Sequence, residues 1–362
     1  MVRLLPDPRR EGEEDFKPKR FEGVVDVTYE VPKGSWKPLK VNPDSIPRKV
    51  LFVDGVRRTE LRVTILNPEG ENTPFAGEGI FISIGAGCAL VDLDGSTRPE
   101  YRMVGSTVRR YFVHNAMLSS EKPSPPQGHF ESLNGKSLNL PQEVEVDLWG
   151  RNLTFKTVES NTPDVSLYAN YLMRSAEIDI AREVLSQERT FTVMDGPVKT
   201  LKFLPFISHL VKDVNNFHLG GGLENILLEL KKGERTPLFV FEETTAYYNR
   251  KSGQYGTKKV KKIGAYVRLI DAREAGRFGL NPLTGLVRIE FPYDPTVSVS
   301  EVSEAVQKAA AVALHFANHP LRDRRSPQNL TPIAFVEKEL RRFLGRYELI
   351  RRALLSKLSE FF

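Results

Sequence analysis

Apolar and polar positions change period several times along the chain, and each change marks an element. VVDVTYEV at 24–31 alternates and predicts a short strand. KVLFVD at 49–54 is apolar almost throughout, the pattern of a central strand covered on both faces. LRVTIL at 61–66 and GIFISIGAGCALVD at 79–92 read as further strands. Together they predict an antiparallel meander that begins with the strand ending at Asp54. SSEKPSPPQG opens an insertion at 119–163 that holds one or two short strands, EVEVDLW and LTFKTV.

A helical period then takes over. In residues 164–187, Leu172, Met173, Ala176, Ile180 and Val184 recur at helix spacing. FTVMDG is the strand that follows, and PVKTLKFLPFISHLVKDV at 197–214 is mixed. ENILLELKKG at 224–233 predicts a helix closed by Gly233. Residues 238–243, 265–270 and 286–293 read as strands. A long helix capped by Ser298 or Ser300 follows, and NLTPIAFVEKELRR opens two more that close the chain. The order of elements predicts an α/β fold with a mixed central sheet flanked by helices. Residues 1–22 are charged and proline-rich and read as a mobile arm before a single domain at 23–362.

Composition narrows the partners and the compartment. The 362 residues carry 52 Lys and Arg against 46 Asp and Glu, a net charge of +6 that permits a nucleic-acid partner. One cysteine, Cys88, excludes a disulfide framework and a cysteine-based zinc site. No apolar run is long enough to span a bilayer. A soluble, cytoplasmic protein is expected.

Candidate chemistry lies in the acids. Asp54 and Asp195 each follow a β-rich apolar run and precede a glycine. One Asp-Gly pair is an ordinary turn. Two, each at the end of a buried strand, point to a site, because a carboxylate there needs a partner or a metal. The helix before Asp195 offers a third acid at the border of its apolar arc, either Glu177 or Glu183. In the helix after residue 330, Glu339 falls within the arc of Phe335, Val336, Leu340, Phe343 and Leu344, and Glu337 at its edge. Carboxylates drawn from separate elements make a hard, oxygen-rich site that suits Mg²⁺ or Mn²⁺. Phosphodiester hydrolysis is the chemistry that most often uses such a site.

At these residues the chain resembles the NurA nucleases. The apolar strand ending in VDG with arginine after it, RSAEIDIA followed by FTVMDGP, ISHLVKD with Lys212, and the closing NLTPIAFVEKELRR resemble that family's motifs in order and spacing. The resemblance implies an RNase H-like domain and a Mn²⁺-dependent site, with Mg²⁺ as the alternative. It implies 5′ to 3′ exonuclease and single-strand endonuclease activity. It further implies a homodimer docked on the hexameric translocase HerA in DNA end resection and repair, near the nucleoid. It assigns Asp54, Asp195 and Glu177, rather than Glu183, to the metal, and Lys212 to catalysis. The family often has a histidine in the closing helix, where this chain has Glu339. Glu339 is then the expected fourth ligand, with Glu337 and His319 as the other choices. That departure favours a competing reading, a nuclease-like subunit that only binds DNA or docks the ATPase.

Basic residues complete the picture. Arg57 and Arg58 follow Asp54 and are candidates to contact a phosphate. Lys258, Lys259, Lys261 and Lys262 lie in a basic loop near Tyr247, Tyr248 and Tyr255, a composition that suits a single strand. RRFLGRYELIRR at 341–352 is a basic face on the last helices. HLGGGLEN at 218–225 lacks the Lys-Ser/Thr of a phosphate loop.

Overall fold

The apolar runs pair into one mixed sheet. The computed structural model describes residues 3–6, 19–20, 23–66, 75–93, 99–115, 140–148, 150–160, 164–187, 189–198, 202–212, 216–219, 222–249, 254–278, 280, 283–322 and 326–359. The expected meander is formed by β1 (Lys49–Leu66), β2 (Phe75–Asp92) and β3 (Glu100–His114). The insertion supplies β4 (Glu143–Asp147) and β5 (Asn152–Glu159), with β5 parallel to β3. Helix α1 (Val165–Leu185) leads into β6 (Phe191–Asp195), which runs parallel to β1 on one side and to β7 (Ile207–Val211) on the other. β8 (Phe239–Asn249), β9 (Gln254–Arg268) and β10 (Leu286–Pro292) continue antiparallel, β10 joining β7. Helices α2 (Val299–His315), α3 (Thr331–Phe343) and α4 (Tyr347–Ser359) close the chain. Across the sheet the order is β8-β9-β10-β7-β6-β1-β2-β3-β5-β4.

Helices cover both faces of the centre, which is why the central strands are apolar on alternate and intervening positions alike. On one face Leu51, Val53 and Met194 pack with Ala169, Ala176 and Ile180 of α1. On the other, Phe52, Val193 and Leu210 pack with Val306 and Ala310 of α2 and with Phe316 just after it. Further along β1 the same face carries Val56 against Val336 and Leu340 of α3 and Leu344 just after it. Fully burying a side chain such as Leu340 or Phe52 contributes about 1.5–3 kcal/mol, so these contacts fix where α1 and α3 stand. Asp164 caps α1 by accepting the Ser166 N–H at 2.7 Å, and Ser298 rather than Ser300 caps α2.

Four expectations change. KVLFVD and LRVTIL are one strand, so Asp54 lies inside β1 and does not end it. The charged residues between them read as a break, although Arg58 and Glu60 pair with each other and Arg58 also reaches the carbonyls of residues 344 and 345. The pairing with β2 skips Glu60, a bulge that turns its carboxylate inward to accept the Arg58 guanidinium at 2.8–3.1 Å. The basic KKVKK stretch is part of β9, not of a loop. In residues 224–233 the α-helix is limited to Ile226–Glu229, entered from a 3₁₀ turn at Leu223–Asn225, after which Leu230 is extended and Gly233 (φ 82°) turns the chain. Finally, Arg3–Pro6, within the expected arm, pairs antiparallel with the end of β1. Residues 7–18 lie outside the described residues.

Candidate functional site

The acids gather where β6 stops. Val50–Val53 of β1 lie beside Phe191–Met194 of β6, in parallel register. Asp54 and Asp195 are each one residue further on. Neighbouring strands stand roughly 4.8 Å apart, so the two aspartates are adjacent. They also share a face, because each lies two residues beyond a member of the same core cluster, Phe52 and Val193. Asp195 does end its strand, as expected. Beyond it β1 continues without β6, and the sheet opens into a notch at Gly55.

Asp54 is 2% exposed. Its Oδ1 accepts the Gly55 N–H at 2.8 Å, while its Oδ2 is buried and accepts no hydrogen bond. Burial, and next the neighbouring Asp195, push its carboxyl well above the usual carboxylate range. Lys212 opposes that rise, while Glu177 and Glu337 add to it. Lys212 follows β7 and is itself buried. Its Nζ stands 3.0 Å from Asp195 Oδ2, donates to Asn329 Oδ1 at 3.0 Å, and lies 3.9 Å from Glu337 Oε1.

Glu177 reaches the same notch from the opposite face of the sheet. It is fully buried on α1. A Cβ on Gly55 would stand only 2.5 Å from Glu177 Oε1, so the glycine after Asp54 is there for close approach, not for a turn. Arg174, one helical turn earlier, donates through one nitrogen to both Glu177 oxygens at 3.0 and 3.2 Å and to the Asp195 carbonyl at 3.3 Å. Its guanidinium lies against Gly196, whose φ of 84° and missing Cβ leave room for it. Arg174 and Asn329 were not singled out in the sequence. The i, i+3 spacing of Arg and Glu in RSAE was the available signal for the first. Cys88 offers no nucleophile: burial first, then Glu183 and Glu177, push its thiol up to about 12.

The structure does not bring every expected residue here. Glu339, itself partly buried, pairs with the exposed Arg342 at 3.0 Å. Glu337, two residues earlier and so about 200° round the helix, faces Lys212 instead. His319 is exposed and packs edge-on to Phe278. Arg57 is half-buried and reaches the Ser166 carbonyl. Arg58 is bound up in structure: besides Glu60 it holds the Gly345 and Leu344 carbonyls, at 2.8 and 3.4 Å. Strand alternation divides the lysines of β9. Lys259 and Lys261 are exposed, and Lys259 pairs with Glu242 at 3.2 Å. Lys258 is half-buried, and Lys262 is 2% exposed between Glu243 and Glu290. Lys262 is therefore a structural cation, not a surface one.

Among the described residues, no three His, Cys, Asp or Glu side chains form a group that could hold a metal as they stand. The reason is visible in the contacts. Arg174 holds Glu177 on the α1 side, and Lys212 sits between Asp195 and Glu337. The strand aspartates still fit a hard cation by donor type, and the bare Asp54 Oδ2 is the atom such an ion would satisfy. No described helix is long and apolar enough to cross a membrane. No family model matches the chain, and no curated protein matches it in sequence.

Proposed function

We propose that the chain is a metal-dependent DNA nuclease of NurA type with an RNase H-like domain. The observation that carries this reading is the pair of adjacent strand aspartates at the notch. One has a buried oxygen without a hydrogen bond, and a buried lysine stands beside the other. The RNase H-like reading is supported by the meander β1–β2–β3, followed by α1 and two strands parallel to β1.

Asp54 and Asp195 would hold Mn²⁺ or Mg²⁺, joined by Glu177 through the notch and by Glu337 from α3. The bound ion supplies Lewis-acid stabilisation of a phosphoryl oxygen and activation of water. Lys212 holds Asp195 in place, and its ammonium offsets charge that develops on a phosphate. Arg174 orients Glu177. Glu339, paired with Arg342, is better read as a structural residue of α3. The exonuclease polarity, the homodimer, the HerA partner and the cytoplasmic, nucleoid-associated setting belong to this proposal through the family resemblance.

A second reading is a DNA-binding or ATPase-docking subunit without catalysis. The grip of Arg174 and Lys212 on the acids favours it. Incubation of single-stranded DNA with Mn²⁺ and the wild-type chain separates the two. Cleavage that is lost on chelation supports the nuclease. Tight binding with no cleavage, with or without a HerA-type ATPase, supports the docking subunit.

A further inference from the structure

We propose that Arg174 binds substrate as well as orienting Glu177: the outer edge of its guanidinium takes a phosphate of the DNA strand seated at the carboxylate site. This deepens the nuclease reading and rests on it. Arg174 holds its partners through one nitrogen. Nη1 is shared among both Glu177 oxygens, at 3.0 and 3.2 Å, and the Asp195 carbonyl, at 3.3 Å. A guanidinium carries five N–H groups in a planar fork, two of them on Nη1. The three on Nη2 and Nε take no part in those bonds.

Arginines that serve only to hold a buried acid use the fork differently in this chain. Arg235 clasps Glu30 with Nη1 and Nη2, at 2.9 and 2.8 Å. Arg288 holds Glu290 with Nε and Nη2, at 2.8 and 2.7 Å. Such two-nitrogen clasps are the strong form of the pair. Arg174 instead has the one-nitrogen geometry of Arg342 on Glu339, also three residues apart on a helix, although its acid is fully buried. Its side chain is 34% exposed, whereas that of Lys212 is 5% exposed. Arg174 is thus the cation of the two that an incoming strand can touch.

The place of the fork is reserved. A Cβ on Gly196 would stand 2.8 Å from Nη2 and 3.1 Å from Nη1, so any other residue there would push the guanidinium aside. The bond from Nη1 to the Asp195 carbonyl sets the fork beside the aspartate that would hold the metal. Asp54, Asp195, Glu177 and Glu337 make this pocket rich in acids, and a polyanion approaching it needs an accessible cation at the mouth. A guanidinium edge matches two phosphate oxygens at once. Arg58, singled out for that part by its place in the sequence, gives Nε and Nη2 to Glu60 and Nη1 to the Gly345 carbonyl.

The test is fluorescence anisotropy with labelled dT12 in EDTA, so that nothing is cleaved and no metal contributes, with melting curves for every variant. Arg174→Gln should weaken binding about tenfold, as for one charged hydrogen-bonded contact, and reduce the slope of log affinity against log salt by about 0.7. Arg174→Lys keeps the charge and loses the fork, so its slope should stay at the wild-type value while its affinity falls. The loss from Arg174→Gln should be as large in a Glu177→Gln background as in wild type. If Arg174→Gln matches wild type in affinity and slope, or if its loss vanishes in the Glu177→Gln background, Arg174 acts only through Glu177 and the proposal is overturned. If Arg174→Gln does not fold, Arg174→Lys decides by itself, and wild-type affinity there overturns the proposal. Failure here is distinct from failure of the nuclease reading, which rests on Mn²⁺-dependent cleavage.

Discussion

Gly55→Ala isolates the contact that joins the two halves of the site. The new Cβ would stand 2.5 Å from Glu177 Oε1, and 3.0 and 3.1 Å from its Cγ and Cδ, where ordinary contact begins at 3.4 Å. Relief requires a retreat of about 0.9 Å by a side chain that is fully buried and held by Arg174 at 3.0 Å. Overpacking of this kind costs about 1–3 kcal/mol. A displacement near 1 Å at a positioned group costs on the order of a hundredfold in rate. The expected result is a lowered melting temperature together with a roughly hundredfold loss of Mn²⁺-dependent cleavage of single-stranded DNA. Gly55→Ala with wild-type cleavage would refute the reasoning, because Glu177 would then not need its place against β1.

Asp54→Asn should raise the melting temperature of the metal-free protein at pH 8 and leave it nearly unchanged at pH 4. Burial and then Asp195 raise the Asp54 carboxyl in the folded chain. Its contribution to stability is therefore full below the unfolded value, about 3.9, and is lost as pH rises through the folded one. Mn²⁺ should raise the melting temperature of wild type and not of this variant. Glu337→Ala should impair both the Mn²⁺-induced shift and cleavage, while Glu339→Ala, which only releases Arg342, should spare both. Glu290→Gln should destabilise the fold by about 3–5 kcal/mol at pH 7, because it leaves Arg288 buried without its acid and Lys262 with Glu243 alone. Burial alone would raise the Glu290 carboxyl, but Arg288 and then Lys262 outweigh it and hold it at about 2. The stabilisation is thus present above the unfolded carboxylate range and lost as pH falls toward 2. In urea melts the gap between wild type and Glu290→Gln should narrow over that interval.

Much of the frame was legible because it follows from period. The alternation and apolar runs of β1 and β2, the helical spacing of α1 and the cap of α2 are local signals, and the mixed sheet flanked by helices follows from their order. What stayed hidden depended on partners far away in the chain. Arg58 has Glu60 two residues on, but the carbonyls of residues 344 and 345 that also hold its guanidinium are far along the chain, so the middle of β1 read as a break. Gly55 read as a turn because the carboxylate that needs its missing Cβ is on α1. The closing helix shows the same limit. Periodicity put Glu339 within an apolar arc, but Phe343 at the helix end is 46% exposed and Glu339 pairs with the exposed Arg342. Glu337, at the edge of the arc, turns inward because Lys212 and Asn329 are there to receive it. In β9 a basic run resembled a loop, yet two-residue alternation sends Lys262 into the core toward Glu290.

The central claim is that Asp54 and Asp195 together hold a catalytic metal. Its most direct test is cleavage of a 5′-labelled single-stranded oligonucleotide by wild type, Asp54→Asn and Asp195→Asn, each with Mn²⁺ and with EDTA, and with melting curves to show that each variant folds. The account predicts cleavage by wild type in Mn²⁺ alone and none by either folded variant. Cleavage by a folded Asp54→Asn protein at the wild-type rate, or no metal-dependent cleavage by wild type with or without a HerA-type ATPase, would contradict it.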